Sequence, residues 1–267
     1  TRGEGGKNLT PNPSPPSGEG LRTADSPPLH TMERGPGGEV RLLSAPRLIE
    51  AGGRIGVGLF KKFVIADSLA LVALNSTNAA QADSAGALWL LLYAYAFRLF
   101  FDFSGYTDIA IGIGLLCGMK LPENFDRPYL KNNLAAFWQS WHITLSNWVR
   151  FYVFSPLSRA LLKRRVKSQT AVFAAQMATM LIIGLWHGVT LGFAIWGLWH
   201  GLGLFLHKSW SDRTRKWYLG LNVQPRRKTA WTIAGVLLTF HFVLLGWVWF
   251  ALPIEAAWRV FLGLFGI

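Results

Sequence analysis

The sequence predicts an all-α, polytopic integral membrane protein with several transmembrane helices plus interfacial or re-entrant helices. Of its 267 residues, 51% are hydrophobic and only 15% are charged, whereas soluble domains usually carry about 25% charged residues. Long apolar runs alternate with short basic clusters, a pattern that the positive-inside rule produces. The net charge of +13 therefore favours anionic membrane lipid over nucleic acid as a partner.

Two apolar runs, 170–187 and 190–206, predict a hairpin of two membrane-spanning helices, because each is about as long as a hydrocarbon core is thick. Basic clusters at 163–167 and 213–228 flank the two open ends. Both ends are therefore expected on the cytoplasmic side, with the bend pointing away from the cytoplasm. The apolar run 231–250 predicts a further span.

An earlier span is predicted at 86–103, although it carries Arg98 and Asp102 and is soon followed by Asp108. Charges at membrane depth are costly unless they pair or line a wet cavity. Arg98 and Asp102 are four residues apart, so we expect them to pair on one helix face. We expect Asp102 and Asp108 to have structural roles. The apolar residues 109–119 are too few to cross a membrane alone and predict a re-entrant or broken helix.

An aromatic stripe predicts one amphipathic helix between residues 137 and 152, because its members recur at spacings of three and four. His142 borders this stripe, whose members are Phe137, Trp141, Leu145, Trp148 and Tyr152.

Residues 1–46 are rich in proline and glycine and hold almost no periodic apolar sequence. This composition predicts a disordered tail. The tail is either a native extension or sequence translated upstream of a start at Met32. The amphipathic stretch 46–75, with Lys61 and Lys62 near its centre, predicts a helix at the lipid headgroup layer.

His187 ends the first arm of the predicted hairpin, between Trp186 and Gly188. An ionisable side chain at membrane depth is a functional candidate. A capping or interfacial histidine, with Gly188 ending the helix, is the simpler interpretation of these residues alone.

Seven motifs then occur in order along the chain, at 58–62, 101–112, 121–125, 128–130, 137–146, 184–188 and 246–250. Together they resemble the membrane-bound O-acyltransferases, in the bacterial branch of the alginate O-acetylation and teichoic acid D-alanyl transfer proteins. The resemblance covers residues 47–267, about the C-terminal part of a family member. Family members carry further spans before this region, so the chain is expected to be a truncated transferase that is inactive alone.

The resemblance implies an acyltransferase that moves an acyl group, most simply acetyl, to a hydroxyl of a cell-surface polysaccharide. The donor would be an acyl thioester such as acetyl-CoA or an acyl carrier protein, and neither a bound cofactor nor a metal is implied. His187 would be the catalytic base, since the unperturbed pKa of histidine lies near neutral pH. His142 would orient the acceptor or stabilise the oxyanion, while Trp141, Trp186 and Asn147 would bind substrate.

The implied location is the inner or plasma membrane, in a multi-pass topology. The implied partners are membrane lipid, the polysaccharide acceptor and extracytoplasmic acetylation proteins. Two other functions stay open: an inactive remnant or membrane scaffold in which the histidines only pack, and a transporter in which Arg98, Asp102 and Asp108 line a path.

Overall fold

The structure, a computed structural model, describes residues 44–267, so the predicted tail at 1–46 lies almost entirely outside the described residues. All regular secondary structure between 44 and 267 is helical, which confirms the predicted all-α class. The α-helices are α1 (Ala45–Leu59), α2 (Asp67–Ala70), α3 (Ser76–Gln81), α4 (Ala85–Leu116), α5 (Leu134–Trp138), α6 (Ile143–Val149), α7 (Ser155–Lys163), α8 (Ser168–His187), α9 (Leu191–Gly220), α10 (Pro225–Ala251) and α11 (Ile254–Gly263). Short π-helical segments cover Phe60–Ala66 and Arg150–Phe154, and 3₁₀ turns cover Pro128–Leu130 and Leu221–Val223.

Within the described range, three helices are long and apolar enough to cross a membrane: α4, α8 and α10. Helix α9 is not one of them, because its apolar sequence ends at Leu206 and its second half carries Lys208, Asp212 and Arg213. The predicted hairpin is thus confirmed as two packed helices, α8 and α9. By length and composition α8 meets the requirement for a span, whereas α9 is 30 residues long but falls short on composition. That both arms cross the membrane stays a prediction.

Glycines set the close crossing of α8 and α9. A Cβ atom on Gly184 would lie 3.3 Å from the Cα of Gly197, and one on Gly197 would lie 3.2 Å from the Cα of Leu181. Contacts this short leave no room for a side chain between the two backbones. Small residues at this crossing therefore fix which faces of the two helices meet.

Helix α1 packs along α4 by the same device. A Cβ atom on Gly58 would lie 2.6 Å from the carbonyl oxygen of Gly105, and one on Gly112 would lie 2.8 Å from the carbonyl oxygen of Ala51. The two helices therefore run in contact over about two turns. This contact continues into the π-helical segment Phe60–Ala66.

Helix α4 is continuous over 32 residues, so the predicted break or re-entrant turn at 109–119 is wrong. The buried carboxylate of Asp108 accepts hydrogen bonds from Arg54 Nη1 and Lys61 Nζ, each at 2.6 Å. Arg54 also pairs with Glu123. Because these partners come from α1 and the segment that follows it, the charge is compensated without any interruption of α4.

Asp102 pairs with Lys62, whose Nζ lies 2.5 Å from Oδ1 of the carboxylate. The predicted pair with Arg98 is therefore wrong, because Asp102 pairs instead with Lys62 from the segment that follows α1. Both aspartates nevertheless stand in ion pairs with the α1 side of the fold. The expected structural role of these charges agrees with this geometry.

The central core is strongly aromatic and is built where α4, α5, α9 and α10 meet. Its largest completely buried side chains include Trp196, Trp247 and Phe137. Neighbouring rings meet mostly edge to face or offset, arrangements that aromatic pairs prefer. This core surrounds the candidate site described below.

The ion pairs of Asp108 provide a test of this fold. Replacing Asp108 with Ala removes the carboxylate partner of Lys61 and leaves Arg54 with Glu123 alone, and we expect the free energy of unfolding to fall by about 3 kcal/mol. Thermal unfolding in detergent would measure the loss. Asp212→Ala is the matched control, since Asp212 makes only an exposed i,i+4 pair with Lys208 and should cost at most about 0.5 kcal/mol. Equal losses in the free energy of unfolding for the two variants would contradict a stabilising role for the ion pairs of Asp108.

Candidate active site

His142 and His187 line one cavity of about 40 Å³. The two residues are far apart in sequence, and Trp186 on α8 lies beside the His142 ring, with ring centres 6.2 Å apart. The remaining walls are apolar or aromatic: Leu99, Phe103, Trp138, Trp141, Leu145, Ile183, Trp196, Trp247 and Phe250. The two imidazoles are thus the only titratable groups among the residues that line this cavity.

His187 is the last residue of α8. Its imidazole is half-buried and meets the indole of Trp196 edge to face, with ring centres 5.5 Å apart. The ring of Phe250 lies on another side at 4.9 Å. Neither ring nitrogen bonds to a residue of the described range, so both are free to serve a substrate. The role of His187 as a base stays a prediction.

His142 occupies a left-handed backbone conformation, with φ 45° and ψ 57°, immediately before α6. The predicted single helix from 137 to 152 is therefore wrong, because the chain breaks between α5 and α6. A short antiparallel contact produces this break: Ile143 N donates to Asn124 O, and Asp126 N donates to Ser140 O, both at 3.0 Å. The Asn124 side chain also caps α6 by accepting from Thr144 N.

The break aims the imidazole of His142 into the cavity, against the ring of Phe103 at 4.7 Å. Its Nδ1 is buried and has no protein hydrogen-bond partner among residues 44–267. Desolvation by burial lowers the pKa of His142 to about 4. The ring is therefore neutral at pH 7, with one nitrogen as donor and the other as acceptor.

The structure places the three predicted substrate-binding residues at different points. Trp141 is buried and lines the histidine cavity. Trp186 is 62% exposed and lies between the two histidines, with ring centres 6.2 Å from His142 and 4.9 Å from His187. Asn147 does not reach this cavity.

Asn147 lines a second cavity, of about 180 Å³, between α6 and α8. Its polar lining includes Gln139, Arg150 and Gln176, and its apolar wall includes Trp138 and Ile183, which it shares with the histidine cavity. The two cavities therefore lie next to each other along α8. The larger cavity is nearer the basic end of the helix, and the histidine cavity is nearer His187.

The paired charges lie apart from both cavities. Asp102 and Asp108 face α1, and neither they nor Arg98 lines the site. All carboxylates of this seam have cationic partners, which argues against a path for a transported ion. In addition, no group of three or more histidine, cysteine or acidic side chains within the described residues could hold a metal ion.

His200 is a residue that the sequence analysis missed. It lies in α9, is completely buried, and contacts the same indoles that wall the histidine cavity. A signal was present: the pentapeptide Gly-Leu-Trp-His-Gly occurs twice, at 184–188 and at 197–201. The second copy places a second Trp-His pair opposite the first across the hairpin.

Residues 43–252 match the family model of the membrane-bound O-acyltransferases. The match includes the segment from α1 to α10, and with it both cavity histidines. This chain belongs to the membrane-bound O-acyltransferase family. The resemblance found in the sequence motifs is thereby confirmed.

Curated relatives agree with this membership. The chain is 41% identical to a peptidoglycan O-acetyltransferase of Helicobacter pylori over 212 residues, which are 79% of this chain and 38% of the relative. It is 38% identical to a probable alginate O-acetylase of Pseudomonas aeruginosa, over 84% of this chain and 40% of the relative. It is 34% identical to a teichoic acid D-alanyltransferase of Streptococcus thermophilus, over 76% of this chain and 52% of the relative. The chain thus spans between 38% and 52% of the length of these relatives.

The backbone at His142 allows its side chain to be tested separately from the fold. A left-handed φ is easier for glycine than for any residue with a Cβ atom, so we expect His142→Gly to fold at least as well as His142→Ala. A difference of about 1 kcal/mol in the free energy of unfolding is anticipated. Thermal unfolding of the two detergent-solubilised variants would measure it. Lower stability of the glycine variant would contradict the left-handed assignment.

Proposed function

We propose that the complete protein transfers an acetyl group from a thioester donor to a hydroxyl of a cell-surface polysaccharide, with His187 as general base. One observation supports the proposal. In a member of an O-acyltransferase family, the imidazoles of His142 and His187 share one small, aromatic cavity and have no hydrogen-bond partner among the described residues. The named relatives include enzymes of peptidoglycan and alginate O-acetylation.

In the proposed reaction, the acceptor oxygen bonds to the thioester carbonyl carbon while its proton moves to a ring nitrogen of His187. Collapse of the tetrahedral intermediate breaks the carbon–sulfur bond. The same proton then passes to the leaving thiolate, so that the products are an ester and a free thiol. The aromatic surroundings of His187 exclude water and so favour the neutral imidazole that can accept a proton.

His142 is proposed to stabilise the negative charge that develops on the carbonyl oxygen. A neutral imidazole carries one N–H donor, and a donor held in a dry site contributes more than the same donor in water. The left-handed turn before α6 holds this ring in place without a side-chain partner. Asn147 and the larger cavity would then bind the part of the donor that lies nearer the basic end of α8.

The lining of the histidine cavity supports acetyl over D-alanyl as the transferred group, because the walls around the two imidazoles are apolar or aromatic. A D-alanyl group is larger than acetyl and carries an ammonium. None of the residues lining the cavity is a carboxylate that could pair with an ammonium.

Variants of the two histidines test this mechanism. Because the chain spans less than half of its O-acetyltransferase relatives, activity is best measured in a chimera in which residues 43–252 replace the matched segment of the Helicobacter pylori relative. We expect His187→Ala to lower the turnover rate by about 10²–10⁴-fold through loss of the base. His142→Gly should lower it by less, at most about 10²–10³-fold, as for an oxyanion donor.

The amount of folded, membrane-inserted protein must be measured for each variant, and rates are compared per folded molecule. Trp199→Phe is a matched control, because the Trp199 indole donates to Phe242 O and lies outside the cavity. Near-normal turnover of His187→Ala per folded molecule would refute the base assignment. Loss of folded protein in proportion to activity would indicate that the histidine only packs.

We further propose that the protein lies in the inner or plasma membrane with the open end of the α8–α9 hairpin in the cytoplasm. The basic clusters at 163–167 and 213–228 support this orientation. Single cysteines at Ser168 and Asn222, which are exposed, should react with an impermeant thiol reagent only after cells are opened. The background for this labelling is Cys117→Ser, and reaction of either cysteine in intact cells would reverse the orientation.

A further inference from the structure

His200 is a buried polar side chain that the proposed reaction does not use. It is 0% exposed, and neither ring nitrogen has a hydrogen-bond partner in the described part of the chain. Burying polar atoms without partners is unfavourable, so an apolar side chain of similar size would fill the space at lower cost. A role beyond filling space is therefore indicated.

The contacts of His200 lie on the far side of the active-site wall. Its ring centre is 5.0 Å from Trp196, 5.3 Å from Trp138 and 6.3 Å from Trp247. All three indoles line the histidine cavity, whereas His200 itself does not. His200 is thus one layer behind the cavity and touches it only through these rings.

Trp196 contacts both histidines of the hairpin. The centre of its indole lies 5.5 Å from that of His187 and 5.0 Å from that of His200. The His200 ring has little freedom to move away, because a Cβ atom at Gly246 would lie only 2.9 Å from its Nε2. The backbone of α10 therefore blocks the retreat of His200, and His200 blocks the retreat of Trp196.

We propose that His200 is a positioning residue that holds the Trp196 indole in the cavity wall and so limits the transferred group to the size of acetyl. This inference rests on the proposed acyl transfer for its biological meaning. The underlying claim, that His200 sets the width of the cavity, concerns geometry and can be tested without any turnover.

The geometric test uses the 267-residue chain in detergent, with Leu145→Cys as a reporter and Cys117→Ser to remove the native thiol. Leu145 lines the histidine cavity but not the larger one. The probes are methyl and butyl methanethiosulfonate, and the measurement is the ratio of their labelling rates. We expect His200→Ala to raise the butyl-to-methyl ratio about tenfold or more, because butyl is longer than methyl by three methylenes and a tight pocket discriminates about tenfold or more for one methylene alone.

Three variants make the result specific. Trp196→Leu should raise the ratio at least as much, because it removes the wall itself. His200→Phe should leave it near the parent value, because a ring still supports Trp196. Trp199→Phe, next to His200 but bonded away from the cavity to Phe242 O, should also leave it unchanged. His200→Val carries the same expectation as His200→Ala and replaces it if the alanine variant does not fold.

An unchanged ratio in His200→Ala, beside a raised ratio in Trp196→Leu, would overturn the proposal. An equal rise in Trp199→Phe would also overturn it, because general loosening of the core would then explain the effect. In the active chimera, His200→Ala should in addition raise transfer of butyryl relative to acetyl. A parent chimera that transfers no acyl group would refute the proposed function, whereas the thiol ratios would still decide the role of His200.

Discussion

The close crossing of α8 and α9 determines the arrangement of the whole site. Gly184 and Gly197 bring the two backbones into contact, and only at that distance can Trp196 on α9 meet His187 on α8 edge to face. A Cβ atom at either position would overlap the facing backbone and push the two helices apart. In a membrane, where apolar surface gives helices little reason to associate, close packing of small residues is a main source of attraction.

Two kinds of polar group are buried in this protein, and they differ in whether they have a partner within the fold. The carboxylates of α4 are paired with Arg54, Lys61 and Lys62, so their charges are neutralised within the fold. The imidazoles at the cavity have no such partners within residues 44–267, and they are surrounded by aromatic rings. Paired groups stabilise the packing of α1 on α4, while unpaired neutral groups remain available to a substrate.

Aromatic side chains form both the buried core and the wall of the histidine cavity. Trp138, Trp196 and Trp247 belong to the buried core and also form the walls of the histidine cavity. A wall built from large rigid rings with few torsions keeps its shape better than one built from flexible chains. The small volume of the cavity is therefore a property of the core itself, and changes in the core are expected to alter which acyl group fits.

Much of this architecture is predictable from local sequence, because composition and periodicity report directly on a membrane environment. The helical class, the hairpin around His187 and the last span all follow from them. The predictions that proved wrong concern features that depend on residues distant in the sequence. The pairs of Asp102 and Asp108 depend on lysine and arginine side chains from α1 and the segment after it. The break before α6 depends on a backbone contact with Asn124, which no periodicity within 137–152 reveals.

The repeated pentapeptide shows the difference between what the sequence determines and what only the tertiary structure determines. The sequence by itself determined that Gly-Leu-Trp-His-Gly occurs at 184–188 and at 197–201, inside apolar segments that form helices. Only the tertiary structure decided that the first copy ends α8 with a half-exposed histidine, while the second stays inside α9 with a completely buried one. The physical reason is that the neighbouring helices determine which side chains of a helix are covered. Gly246 and the indoles of α5, α9 and α10 enclose His200 completely, whereas Trp196 and Phe250 cover His187, at the end of α8, only in part.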